Sequence, residues 1–179
     1  MRKFFIYNLY GVIALLAAQV SAYAEPITPF IGKYEGSAEF EESGKKVTRD
    51  MSVNITETED GFVVNWTSTS YKSDGRTKEK NYEIEFIDTL RDGIYSSAMG
   101  KNVFGNPVAL DPLKGDPYVW ARVSGNVLTI FSLLIDELGG YEMQEYNRTL
   151  VEGGLELEYK RVRNGLPLKN INSFLEKTQ

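Results

Sequence analysis

Cysteine and histidine are both missing from the chain. Without them the ordinary routes to a thiolate nucleophile, a histidine-based triad, a zinc centre or a histidine-ligated haem are closed. No disulfide can form, so the fold must be held by its core alone. A glycine-rich phosphate loop following a strand is also absent. The acids at Asp111, Asp116 and Asp136-Glu137 match no calcium loop and fit solvated turns, so neither a metal nor a cofactor is expected. Positive charge is in deficit, with 20 Lys and Arg against 25 Asp and Glu and a net charge of -5. That balance disfavours nucleic acid or an anionic membrane surface as a partner.

Long apolar runs are scarce too. The first, Phe4 to Val20, stands behind Met1-Arg2-Lys3 and ends at Ser21-Ala22-Tyr23-Ala24, a small-residue pattern of the A-x-A kind. This reads as a secretory signal peptide, residues 1–24, cleaved after Ala24. Asn8 and the modest length of the run argue against a retained anchor. The mature chain, residues 25–179, is sized for a single domain that is periplasmic or secreted, with no stable membrane anchor after cleavage. The N-x-T sites at Asn54, Asn65 and Asn147 matter only in a eukaryotic secretory pathway, and the short leader has a bacterial form.

What the mature chain does have is alternation and turns. From Phe30 onward, segments of about ten residues alternate with period two and close at Gly- or Asp-containing dipeptides, the pattern of an antiparallel meander. Ser43-Gly44, Asp60-Gly61, Asp74-Gly75, Asp92-Gly93, Gly125-Asn126, Gly139-Gly140, Gly153-Gly154 and Asn164-Gly165 supply the turns. The most apolar stretch, Pro117 to Ile135, folds back on itself at Ser124-Gly125-Asn126 and predicts the central hairpin. The segment after Met99, running to Asp116, breaks the rhythm. It reads either as a packed flap holding Val103, Phe104, Val108 and Leu110, or as a short irregular strand plus a turn. Over Leu168 to Lys177, Ile171, Phe174 and Leu175 stand at helical spacing and predict a short amphipathic helix. The expectation is an all-β fold, an antiparallel up-and-down barrel of about eight or nine strands with a short C-terminal helix, in preference to a sandwich.

Gly32-Lys33-Tyr34 on the first strand and Arg161 and Arg163 on the last resemble the lipocalin arrangement. In that family a G-x-W start packs its ring against an Arg from the end of the barrel; here Tyr34 stands in place of Trp. The resemblance implies a lipocalin-like barrel with an internal small-molecule site.

Charged residues fall on faces that the alternation marks as inward. Lys80 continues the face of Tyr82, Arg122 that of Tyr118 and Trp120, Glu145 that of Tyr141 and Met143, and Arg161 that of Leu155, Leu157 and Tyr159. They either sit near strand ends, where they snorkel to the rim or pair with Glu145, or line a cavity that is aromatic at one end and cationic at the other. On the second reading Trp66, Lys80, Tyr82, Trp120, Arg122, Glu145, Tyr159 and Arg161 are the ligand-binding residues. The ligand is then a small hydrophobic or amphipathic anion, because unpaired guanidinium groups inside a barrel invite one. Glu156 and Glu158 alternate with Leu155, Leu157 and Tyr159 and so form a solvated face rather than an acid/base pair. Non-catalytic binding is therefore the functional expectation. The alternative is an envelope protein-interaction domain whose barrel is filled by its own side chains, and an enzyme working through Tyr or carboxylate groups is the least supported.

Overall fold

The computed structural model describes residues 27–42, 44–72 and 74–179. The signal peptide assigned to residues 1–24 lies outside them. Twelve strands follow in order: β1 (Gly32–Glu42), β2 (Lys45–Thr58), β3 (Gly61–Tyr71), β4 (Thr77–Asp88), β5 (Ile94–Ser97), β6 (Gly100–Lys101), β7 (Pro107–Val108), β8 (Tyr118–Ser124), β9 (Val127–Ile135), β10 (Tyr141–Val151), β11 (Gly154–Arg163) and β12 (Leu166–Lys177). Ten of them close into an antiparallel barrel in the order β1-β12-β11-β10-β9-β8-β5-β4-β3-β2, while β6 and β7 form a small separate ribbon.

The turn dipeptides explain this meander. At the last hairpin Asn164 and Gly165 both take positive φ, 49° and 79°, the pair of conformations that a tight two-residue turn needs to match strand twist. The hairpin predicted around Gly125-Asn126 is β8 and β9.

Where the expectation of eight or nine strands and a C-terminal helix fails, the reason is local. Residues 166–177 form β12, which pairs along β11 and meets β1 at Tyr34↔Lys177 and Glu35↔Glu176. Ile171 and Leu175, four residues apart, satisfy a period of two as well as a helical one. Phe174, which tipped the pattern towards helix, is 49% exposed on the other face of the strand. Closure is tight at Gly36, where any Cβ would collide with the Phe174 carbonyl oxygen.

The packed flap is not found either. Val103 and Phe104 sit on the β6–β7 turn at 93% and 84% exposure. The side chain of Asn102 holds that turn by accepting from the Phe104 and Asn106 amides, so the local polar bonds, not apolar burial, order it.

One end of the barrel is filled and the other is not. At the filled end Phe30, on a 3-10 turn (Thr28–Phe30), closes the bottom, and Tyr34 donates its phenol proton to the Phe30 carbonyl at 2.9 Å. Phe62 stacks on Phe86 and meets Tyr95 edge-on, at 5.0 and 4.9 Å between ring centroids. Ile55, Leu128, Leu155 and Leu175 complete this core, all fully buried. Towards the other end the same inward registers of β1 and β3 carry Gly36, Ala38, Ser68 and Ser70, which are too small to fill the interior.

The wall is also interrupted. β5 is only four residues long and pairs with β4 at Phe86, Ile87 and Asp88 alone. Thr77–Ile84 of β4 therefore has no strand on that side among the described residues.

Candidate functional site

The unfilled end is a cavity of about 370 Å³. Its floor is a belt of four rings. Tyr82 stacks on Trp66 at 4.9 Å, Trp66 meets Tyr146 across the barrel at 5.8 Å, and Tyr146 lies against Tyr159 at 4.7 Å. Met51, Val53, Leu157 and Ile171 fill in between them.

Among the described residues, seven basic side chains stand above and among the rings, Arg49, Lys72, Lys78, Lys80, Arg148, Arg161 and Lys169, with Glu42 the one acidic side chain in the lining. In a chain of net charge -5 this is a strong local reversal. Several of the seven are engaged. Lys169 meets Glu42 at 2.6 Å, Arg49 donates to Ser70 at 2.9 Å and lies over the Phe40 ring, and Arg161 donates to Glu142 at 2.6 Å.

Arg148 is different. It is 1% exposed, flanked in register by Leu128 and Leu157, and among the described residues its Nε and Nη1 have no acceptor. Its charge rests only against π faces, with Cζ 5.7 Å from the Tyr146 centroid and 5.9 Å from that of Trp66. Burial pulls its pKa down to about 10, so it is still cationic at neutral pH. A buried, charged, unpartnered donor of this kind is costly in a folded protein unless an anion completes it.

One wall carries an ordered polar chain. Arg161 donates to Glu142 Oε2, Gln144 Nε2 donates to Glu142 Oε1 at 2.8 Å, and Tyr146 and Tyr159 donate to Gln144 Oε1 at 3.0 and 3.4 Å. The Arg161 hydrogen bond, with help from Gln144, holds the Glu142 carboxyl below its ordinary range against the effect of burial. Burial pushes both phenols up, Tyr146 strongly.

Of the residues expected to bind a ligand, Trp66, Lys80, Tyr82, Tyr159 and Arg161 line this cavity together. Trp120, Arg122 and Glu145 do not. On β8 it is Val119, Ala121 and Val123 that enter the core, which turns Trp120 and Arg122 outward. There Trp120 stacks on Phe131 at 4.8 Å and Arg122 lies over the same ring. Glu145, cross-strand from Phe131, shares that outer face and accepts from Asn147 at 2.6 Å. The partner of Arg161 is accordingly Glu142 and not Glu145. The cation over the Tyr34 ring is Lys177 at 5.6 Å, not Arg161 or Arg163.

Arg148, Tyr146 and Gln144 were missed because the face of β10 was misjudged. The Gly153-Gly154 turn held the signal: a hairpin closing there sets Leu150 opposite Leu155. Cross-strand partners share a face. Leu155 is inward, so Leu150, Arg148, Tyr146 and Gln144 are inward too.

A scan against models of known protein families matches none of them, and a search of curated proteins returns no match. What the cavity can hold is read from its own side chains. Among the described residues no group of His, Cys, Asp and Glu could hold a metal ion, and no helix is long and apolar enough to cross a membrane.

Proposed function

We propose that this chain is an exported, non-catalytic binding protein of lipocalin-like form that holds a small amphipathic anion inside the barrel. The observation that carries the reading is Arg148: a charged guanidinium buried without an acceptor, beside an aromatic floor and under six further cations. An acidic group reaching it would gain charge-assisted hydrogen bonds in a low-dielectric site. The rings would meanwhile cover the apolar part of the ligand, as in pockets of about 300–1,000 Å³ generally. The partly empty barrel favours this over a domain filled by its own side chains. The polar lining, with Ser68, Ser70 and Gln144 among the rings, favours a compact aromatic or cyclic acid over a long acyl chain.

The test is calorimetric titration of small aromatic carboxylates beside their neutral carboxamides, on the wild type and on Arg148→Met. Acids should bind, amides should not, and the variant should bind neither. Absence of acid binding, or acid binding that survives in Arg148→Met, would overturn the proposal.

A further inference from the structure

We infer that the ligand carries, close to its acidic group, an N–H or O–H donor directed at Tyr146 and Tyr159, an inference that rests on the anion-binding reading of the same cavity. The polarity of the site follows step by step from Arg161. Its Nη2 lies 2.6 Å from Glu142 Oε2, so Glu142 is an ionised carboxylate at neutral pH and can only accept. Gln144 meets the other oxygen of that carboxylate at 2.8 Å. An amide facing an acceptor must present its NH₂, which turns its oxygen the opposite way, towards the two phenols.

That oxygen is also acceptor-only. Tyr146 reaches it at 3.0 Å and donates; Tyr159, at 3.4 Å, also meets the Tyr146 hydroxyl, so its proton goes to Gln144 or to Tyr146. A phenol has a single proton, and with it directed at Gln144, or for Tyr159 at Tyr146, each oxygen has only lone pairs left for the cavity. Both phenols stay protonated at neutral pH because burial disfavours phenolate.

The lining thus sets a cationic donor, Arg148, beside acceptors on Tyr146, whose ring centroid is 5.7 Å from Arg148 Cζ. An acid alone satisfies half of that pattern. A hydroxy acid or an acid bearing an N–H satisfies both halves, whereas an ether oxygen at the same place sets lone pair against lone pair. Gln144 is a positioning residue here, acting through the two phenols.

The experiment uses 2-naphthoate, its 3-, 6- and 7-hydroxy derivatives and the corresponding methoxy ethers, titrated calorimetrically against the full mature chain. At least one hydroxy acid should bind about three- to tenfold more tightly than both its ether and unsubstituted naphthoate, the range of one net hydrogen bond. Combining Tyr146→Phe with Tyr159→Phe should abolish the advantage of that hydroxy acid over its parent, whatever absolute affinity the two retain. Thermal melts of the variant establish that it folds. If hydroxy, methoxy and parent acids bind alike and all are lost in Arg148→Met, the donor inference fails and the anion reading stands. Should none of the acids bind, the anion reading fails and the donor inference falls with it.

Discussion

Arg148 and Trp66 face each other across the full width of the barrel, from strands five places apart in a ring of ten, with the guanidinium carbon 5.9 Å from the indole centroid. A desolvated cation over Trp contributes about 2 kcal/mol. That is less than the several kcal/mol that removing an ion from water takes away. The difference is what a bound anion would recover, so on the proposed function the ligand would meet a costly point of the ligand-free fold in one side chain.

Replacing Arg148 with Met should leave the ligand-free protein at least as stable as wild type, and more stable by about 1–4 kcal/mol if the pocket closes on the new side chain. The sign follows from the guanidinium pKa, lowered to about 10 from 12.5. A depressed base opposes folding in full below about 10, and that opposition fades as the pH rises from about 10 towards 12.5. Urea melts at pH 7 measure it. A loss above about 2 kcal/mol would mean that Arg148 is a structural partner and not a waiting one.

Arg161→Leu should act in the opposite direction, because it strands Glu142. A loss of about 1–2 kcal/mol is expected at pH 7, discounted because the Arg161 side chain is 40% exposed. The Glu142 pKa is lowered in the fold from 4.5. Its contribution is therefore complete above pH 4.5 and disappears as the pH falls through the depressed folded value. The gap between variant and wild type should narrow in acid. Melts at pH 7 and pH 3.5 that show an unchanged gap would rule out this pair as the cause.

Trp120→Ala should be mild and Phe86→Ala severe. Trp120 loses an outer-face stack on Phe131, which accounts for about 0.5–1.5 kcal/mol beyond the area involved. Phe86 is fully buried against Phe62, and its removal should cost about 3–5 kcal/mol. Equilibrium denaturation of both variants decides whether β8 presents Val119, Ala121 and Val123 to the core; equal losses would not fit that register.

Gly36→Ala tests closure. The added methyl would meet the Phe174 carbonyl and the Leu175 backbone, backbone atoms that cannot swing aside. A destabilisation of about 1–3 kcal/mol is expected, concentrated at β1 and β12. Amide exchange should show it as lost protection around Tyr34 and Lys177.

The strands and turns of this barrel were legible because Gly-containing dipeptides mark the hairpins and because β1 to β4 alternate apolar with polar residues. In those strands the polar face meets water and the parity is unambiguous, which is why Trp66, Lys80 and Tyr82 were placed in the interior from sequence. β9 and β10 gave no such contrast. Phe131 and Leu133 cover the outer face of β9 while Leu128 and Ile130 fill the inner one, and β10 has Tyr141 and Met143 on one face and Tyr146 and Leu150 on the other. Parity there has to come from pairing across the turn, and on β8 the larger aromatic residues make the outer face resemble core more than the smaller Val119 and Ala121 do. Arg148 was invisible for a further reason: a lone Arg within a strand gives no sign from sequence that its burial is complete.

The unpaired stretch of β4 is also an invitation to other chains. A row of free backbone N–H and C=O groups is a template on which a second molecule can lay a strand, and natural sheets guard such rows with charge. Lys78, Glu79, Lys80 and Glu83 lie along this one. Lys78 and Lys80 thus stand in two places at once, in the cavity lining and on the charged edge. A sequence that neutralised both would change the cavity lining and the guard on this edge together, leaving Glu79 and Glu83 to charge the row.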